Sequence, residues 1–235
     1  MVFVQRFLQR EIQIILLLLT KKPNLAIGIF SILLLPGVFI HEVSHLFMAI
    51  ILRVPVRKIS LFPQVTKKGK IRLGFVETAK SNVLRDSLIG LAPFIAGLFL
   101  VAYIGSIKLG FITLIEAAYD SNLNIFLSLL NNLPKTTDFG LWIYFAFAIS
   151  STMLPSESDR QSWTVIVILI VIVLSFVLLS GLGEWMLNNI YPFFNQWLMS
   201  ISTVLTGSVI VDLLIFIPAW IVRQIITKIT GLRVV

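Results

Sequence analysis

Between Trp163 and Gly183 the chain runs almost without interruption through Ile, Val and Leu and carries no charged side chain. A run of about 20 apolar residues matches the roughly 30 Å hydrocarbon layer of a bilayer, because a helix rises 1.5 Å per residue. Four further runs read the same way: Leu25 to Leu52, Ser87 to Ile107, the shorter Phe139 to Leu154, and Ile201 to Val222. Composition agrees, with 57% hydrophobic and 13% charged residues, where a soluble domain carries about 25% charged. So much apolar surface cannot be hidden inside one soluble core of 235 residues. The expected fold is an all-α polytopic membrane protein with five spans, or six if the N-terminal segment also crosses.

That segment, residues 1–24, admits two readings. Phe3, Phe7, Leu8 and the run Ile12 to Leu19 are apolar, while Arg6, Arg10 and Glu11 fall on another face. This pattern fits an interfacial amphipathic helix, and it also fits a sixth span or an uncleaved anchor, since no small-residue cleavage site is evident.

Charge orients the chain. The stretch from Arg53 to Asp86 holds nine basic residues against Glu77 and Asp86, nearly all of the net charge of +8. The positive-inside rule places this loop in the cytoplasm. The near-neutral Lys108 to Asp138 and the Lys- and Arg-free Glu184 to Ser200 then lie outside, and the tail with Arg223, Lys228 and Arg233 lies inside. Only Lys21 and Lys22 run against this scheme. For a membrane chain the natural partner of such charge is the anionic leaflet rather than nucleic acid. Within the basic loop, Val56 to Pro63 and Lys70 to Glu77 alternate apolar and polar residues around Lys67-Lys68-Gly69. That is the pattern of a β-hairpin over residues 56–77.

The chemistry is concentrated in the first span. Both histidines of the chain stand in His41-Glu42-Val43-Ser44-His45, an H-E-x-x-H motif. Residues i and i+4 share one helical face, so both imidazoles can bind one metal ion. With no cysteine in the chain, the ligands can only be imidazole and oxygen, which suits one Zn²⁺ with an open position for water. Glu42 is then placed to take a proton from that water as general base. A carboxylate inside a span costs about 2.5–3.5 kcal/mol on insertion scales, so it needs a partner. Eight residues separate His45 from Arg53, about 12 Å along the helix, so water must reach the site through a polar cavity, which Ser44 can help to line.

A third protein ligand must come from another helix. Asp159 closes the stretch Ser150 to Asp159, which follows the third span on the cytoplasmic side and contains the helix-breaking Pro155. Glu157 is its nearest competitor and Asp212, inside the fifth span, is the other. The metal set read from the chain is therefore His41, His45 and Asp159, with the last position open.

With these features in order, the chain resembles the site-2 protease family of intramembrane zinc metalloproteases. That family carries H-E-x-x-H in its first core helix and an aspartate ligand after a proline-containing segment of its third. The hairpin after the motif helix and Gly90-Leu91-Ala92-Pro93 in the second span are also similar to family elements. The resemblance covers approximately Leu25 to Asp159, and residues 160–235 match only as additional helices. Two departures stand out: Ser151 or Thr152 replaces the family's Asn before the proline, and Arg160 rather than Gly follows the aspartate. The resemblance implies a metalloendopeptidase that hydrolyses peptide bonds in or beside transmembrane segments of membrane-protein substrates, in a bacterial plasma membrane with the active-site side cytoplasmic. The rival expectation is a non-proteolytic metal-binding membrane protein, a transporter or an adaptor. A transporter would spread its ligands along successive spans, whereas here they cluster.

Overall fold

The computed structural model describes residues 1–65, 71–111, 113, 114, 117 and 123–231. Helix α1 (Val2–Thr20) leads into α2 (Pro23–Leu33) and α3 (Leu35–Ile51). Strands β1 (Val56–Ser60), β2 (Gln64–Val65), β3 (Ile71–Arg72) and β4 (Phe75–Thr78) follow, then α4 (Val83–Tyr103), which ends in a π turn at Ile104–Lys108. The remainder is helical: α5 (Leu123–Asn132), the short 3₁₀ turn Leu133–Lys135, α6 (Phe139–Ser150), α7 (Trp163–Leu179), α8 (Gly183–Asn189) and α9 (Tyr191–Thr230).

Among the described residues two helices, Val83–Lys108 and α9, are each long and apolar enough to cross a membrane, and the number rises to four if each of two bent pairs is one span. The expected spans are redrawn accordingly. The first, Leu25 to Leu52, is not one straight helix: α2 and α3 meet at a 65° bend. Pro36 explains the break, since it has no N–H for the carbonyl of Ile32 and its ring crowds that turn. At the bend the Tyr144 hydroxyl of α6 donates to the Leu33 carbonyl at 3.0 Å. The third run gives only the 12 residues of α6. The fourth forms α7 and then turns through 112° into α8, with Gly181 between them in the left-handed region at φ 76°. The fifth is the middle of α9, whose 40 residues extend about 60 Å, twice the thickness of a hydrocarbon layer.

The N-terminal helix is also held by protein. With Arg6, Arg10 and Glu11, α1 is not among the helices apolar enough to cross. Its apolar face is spent on protein: α1 packs along α9, burying Leu8, Ile14 and Leu18. Glu11 pairs with Arg223 of α9 at 2.8 Å.

The β region is an antiparallel hairpin in two parts. β1 pairs with β4 from Val56↔Thr78 to Ser60↔Phe75, with an irregularity between Val56 and Lys58. β2 pairs with β3 through Gln64↔Arg72 and Val65↔Ile71. The Lys67-Lys68-Gly69 turn lies outside the described residues.

The centre of the molecule is the trio α3, α4 and α6. Small residues bring these helices together, as they do in membrane bundles where close backbone approach replaces the hydrophobic drive. A Cβ on Gly37 of α3 would overlap the Ala148 carbonyl and the Thr152 hydroxyl at the end of α6. A Cβ on Gly90 of α4 would overlap the Asp159 carbonyl. Around the trio, Phe30, Leu34, Val38, Val101, Phe147 and Met153 form the main core.

Candidate metal centre

His41 and His45 lie one turn apart on α3, and Asp159 reaches them from the loop after α6. One ligand atom from each of the three lies within 4.8 Å of the others. The two Nε2 atoms are 3.2 Å apart. His45 Nε2 is 3.4 Å from Asp159 Oδ1, and His41 Nε2 is 3.7 Å from Asp159 Oδ2. The side chains are nearly closed to solvent, at 12%, 8% and 14% exposure for His41, His45 and Asp159.

Each imidazole is mounted on a main-chain carbonyl. His41 Nδ1 is 2.6 Å from the Thr152 carbonyl and His45 Nδ1 is 2.8 Å from the Ile89 carbonyl. A carbonyl only accepts, so both Nδ1 atoms carry the proton and both Nε2 atoms of the neutral rings present lone pairs. Both carbonyls are available because the N–H that would meet each one in a helix is missing or drawn elsewhere. Ile89 O would take the N–H of residue 93, but Pro93 has none. Thr152 O would take the N–H of Ser156, but that N–H donates instead to Asp159 Oδ2 at 2.7 Å.

Ser156 fixes the aspartate as well. Its hydroxyl donates to Asp159 Oδ2 at 2.6 Å, which holds the carboxylate against the loop and leaves Oδ1 towards His45. Two ring nitrogens and a carboxylate thus converge, an arrangement that could hold a metal ion. Zn²⁺ fits the set. At bond lengths of about 2.0–2.1 Å, neighbouring ligands of a tetrahedral ion stand about 3.3 Å apart, close to the 3.2 Å between the two Nε2 atoms and the 3.4 Å from His45 Nε2 to Asp159 Oδ1.

The competitors for the third ligand position are elsewhere. Glu157 is exposed and is not part of the group. Asp212 is fully buried on the far side of α6, where the Ser150 hydroxyl approaches its Oδ1 at 3.5 Å. The Ser44 hydroxyl bonds back to the Ile40 carbonyl of its own helix at 2.6 Å. Glu42 is buried beneath the hairpin: an added Cβ at Gly74, between β3 and β4, would stand 3.0 Å from Glu42 Cγ.

Residue types alone did not point to Thr152, Ile89 and Ser156, since two act through the main chain and the third is one of many serines. The signal that was present is proline: Pro93 and Pro155 mark helices with unpaired carbonyls near the motif. Comparison of the chain with protein-family models, with curated proteins and with solved structures gave no match.

Proposed function

We propose that this protein is an intramembrane zinc metalloprotease, similar to the site-2 protease family, that hydrolyses peptide bonds in or beside the transmembrane segments of membrane-protein substrates. One observation carries the reading: three ligand atoms from His41, His45 and Asp159 converge within 4.8 Å, with both Nδ1 atoms occupied by main-chain carbonyls. His41, His45 and Asp159 would hold the ion, one per chain. Bound there, zinc supplies Lewis acidity towards a peptide carbonyl and makes water a nucleophile at neutral pH. Glu42 is the general base. Its carboxylate takes the proton of the attacking water and passes it to the leaving amine nitrogen.

The other parts of the chain take roles around this site. Five spans are reached by counting the two long helices, the two bent pairs and α6, whose short length ends it inside protein. The basic loop Arg53 to Asp86 faces the cytoplasm and the anionic leaflet of a bacterial plasma membrane. A substrate helix must unwind before cleavage, because its peptide bonds are shielded by their own hydrogen bonds. The hairpin edge beside Glu42 offers the unwound strand a partner for β-addition.

The test uses the purified full-length protein in detergent or lipid, its zinc content, and cleavage of candidate membrane substrates. Glu42→Gln is expected to keep one zinc per chain and to lose cleavage by about a hundredfold or more, the size of a general-base contribution. Cleavage unchanged in Glu42→Gln would remove the catalytic role. Stoichiometric zinc in Glu42→Gln with no cleavage by the parent protein on any substrate would favour the non-proteolytic metal-binding reading.

A further inference from the structure

Helix α6 ends in three successive carbonyls with no helical partner. Pro155 cannot supply an N–H to Ser151 O, and the Ser156 N–H is drawn to Asp159. Each carbonyl is met by a side chain from a different part of the fold. Ser150 O accepts from Gln5 Nε2 at 2.8 Å, Ser151 O accepts from Gln9 Nε2 at 3.2 Å, and Thr152 O holds His41 Nδ1 at 2.6 Å. Gln5 and Gln9 are four residues apart and so share one face of α1. Glu11, on another face of α1, pairs with Arg223 of α9 at 2.8 Å.

We propose that Gln5 and Gln9 are positioning residues for the metal centre, acting through the last turn of α6. This rests on reading the His41–His45–Asp159 cluster as a metal site. The adjacent peptides of Ser150, Ser151 and Thr152 form one turn, so pinning the first two carbonyls fixes the direction of the third. An unmet carbonyl in an apolar setting seeks another donor, and the turn that satisfied it would swing Thr152 O away from His41. The N-terminal helix is thereby part of the site's support and not only an anchor.

The test uses full-length protein in detergent, stripped of metal by chelation and titrated with Co²⁺ alone, read by its visible absorption. Gln5→Met with Gln9→Met keeps the side-chain length and removes both donors. It is expected to weaken Co²⁺ binding about tenfold, the lower end of the loss when a ligand's supporting partner is removed, and to change the band shape. Gln9→Lys, which restores a donor at that position, is expected to keep the parent band. Glu11→Gln loosens α1 at its other tether and serves as the packing control. Parent affinity and band in the double methionine variant, with both lost in His41→Ala, would overturn the positioning role and leave the metal site standing. An equal band change in Glu11→Gln would overturn it too, since the effect would then be loosened packing. Co²⁺ bound by His41→Ala as by the parent would overturn the metal reading itself. Should the double variant not fold, Gln9→Met alone is read in the same way.

Discussion

The trio α3, α4 and α6 and the limb that begins with α7 are both built largely from apolar residues and are opposite in structure. The trio buries glycine, alanine and serine at its crossings and brings backbones together. No residue of α7 or α8 is buried, and α7 leans only lightly on α4. The difference lies in side-chain shape. A helix of Val, Ile and Leu on nearly every side has no face to prefer, and α7 has neither Gly nor Ala to admit a neighbour's backbone. In a bilayer its surface is satisfied by lipid, so apolarity alone leaves it unpacked. The trio must be packed, because it carries polar groups that only each other can satisfy.

Substitutions in the two regions separate these ideas. Gly37→Leu gives the largest expected effect: its side chain meets the Ala148 carbonyl and the Thr152 hydroxyl, which cannot yield without parting α3 from α6. Loss of about 3 kcal/mol or more is expected, at the upper end of overpacking, read as a fall in unfolding midpoint together with loss of zinc. Pro93→Ala is subtler, since it repairs α4. Its new N–H competes with His45 for the Ile89 carbonyl, so the fold should hold while zinc affinity drops about 10–100-fold. Zinc bound as tightly as in the parent would show that the carbonyl is not His45's support.

Ser156→Ala removes the hydroxyl donor to Asp159 Oδ2 but leaves the main-chain one, so a smaller loss of about tenfold in zinc affinity is expected. Asp159→Ala should release zinc where Asp212→Ala should not, and the reverse result would move the third ligand to α9. At the other end, Ile172→Val in α7 should shift stability by less than about 0.5 kcal/mol, as surface changes do. A large effect there would mean that α7 is packed against a partner.

Much of this was legible in particular residues. Pro36 marks the break between α2 and α3, yet the apolar run across it reads as one span, because hydropathy ignores the missing N–H. The alternation in residues 56–77 located the hairpin, and its two-part pairing with a kink at Leu61 to Pro63 follows from turn residues that alternation does not weigh. The amphipathic face of α1 was visible, but nothing local distinguishes an apolar stripe that meets lipid from one that meets α9.

By itself the sequence determined the apolar helical character, the helical face shared by His41 and His45, and the absence of thiolate ligands from any metal site. These follow from composition and from periodicities of a few residues, which are local. Tertiary structure alone decided which acid joins the histidines and what holds each ring, because Asp159, Ile89 and Thr152 meet α3 only through the close crossings at Gly37 and Gly90. The supporting bonds run to main-chain carbonyls, which every residue has. Which of them lies free depends on where two helices are interrupted and what packs against the break.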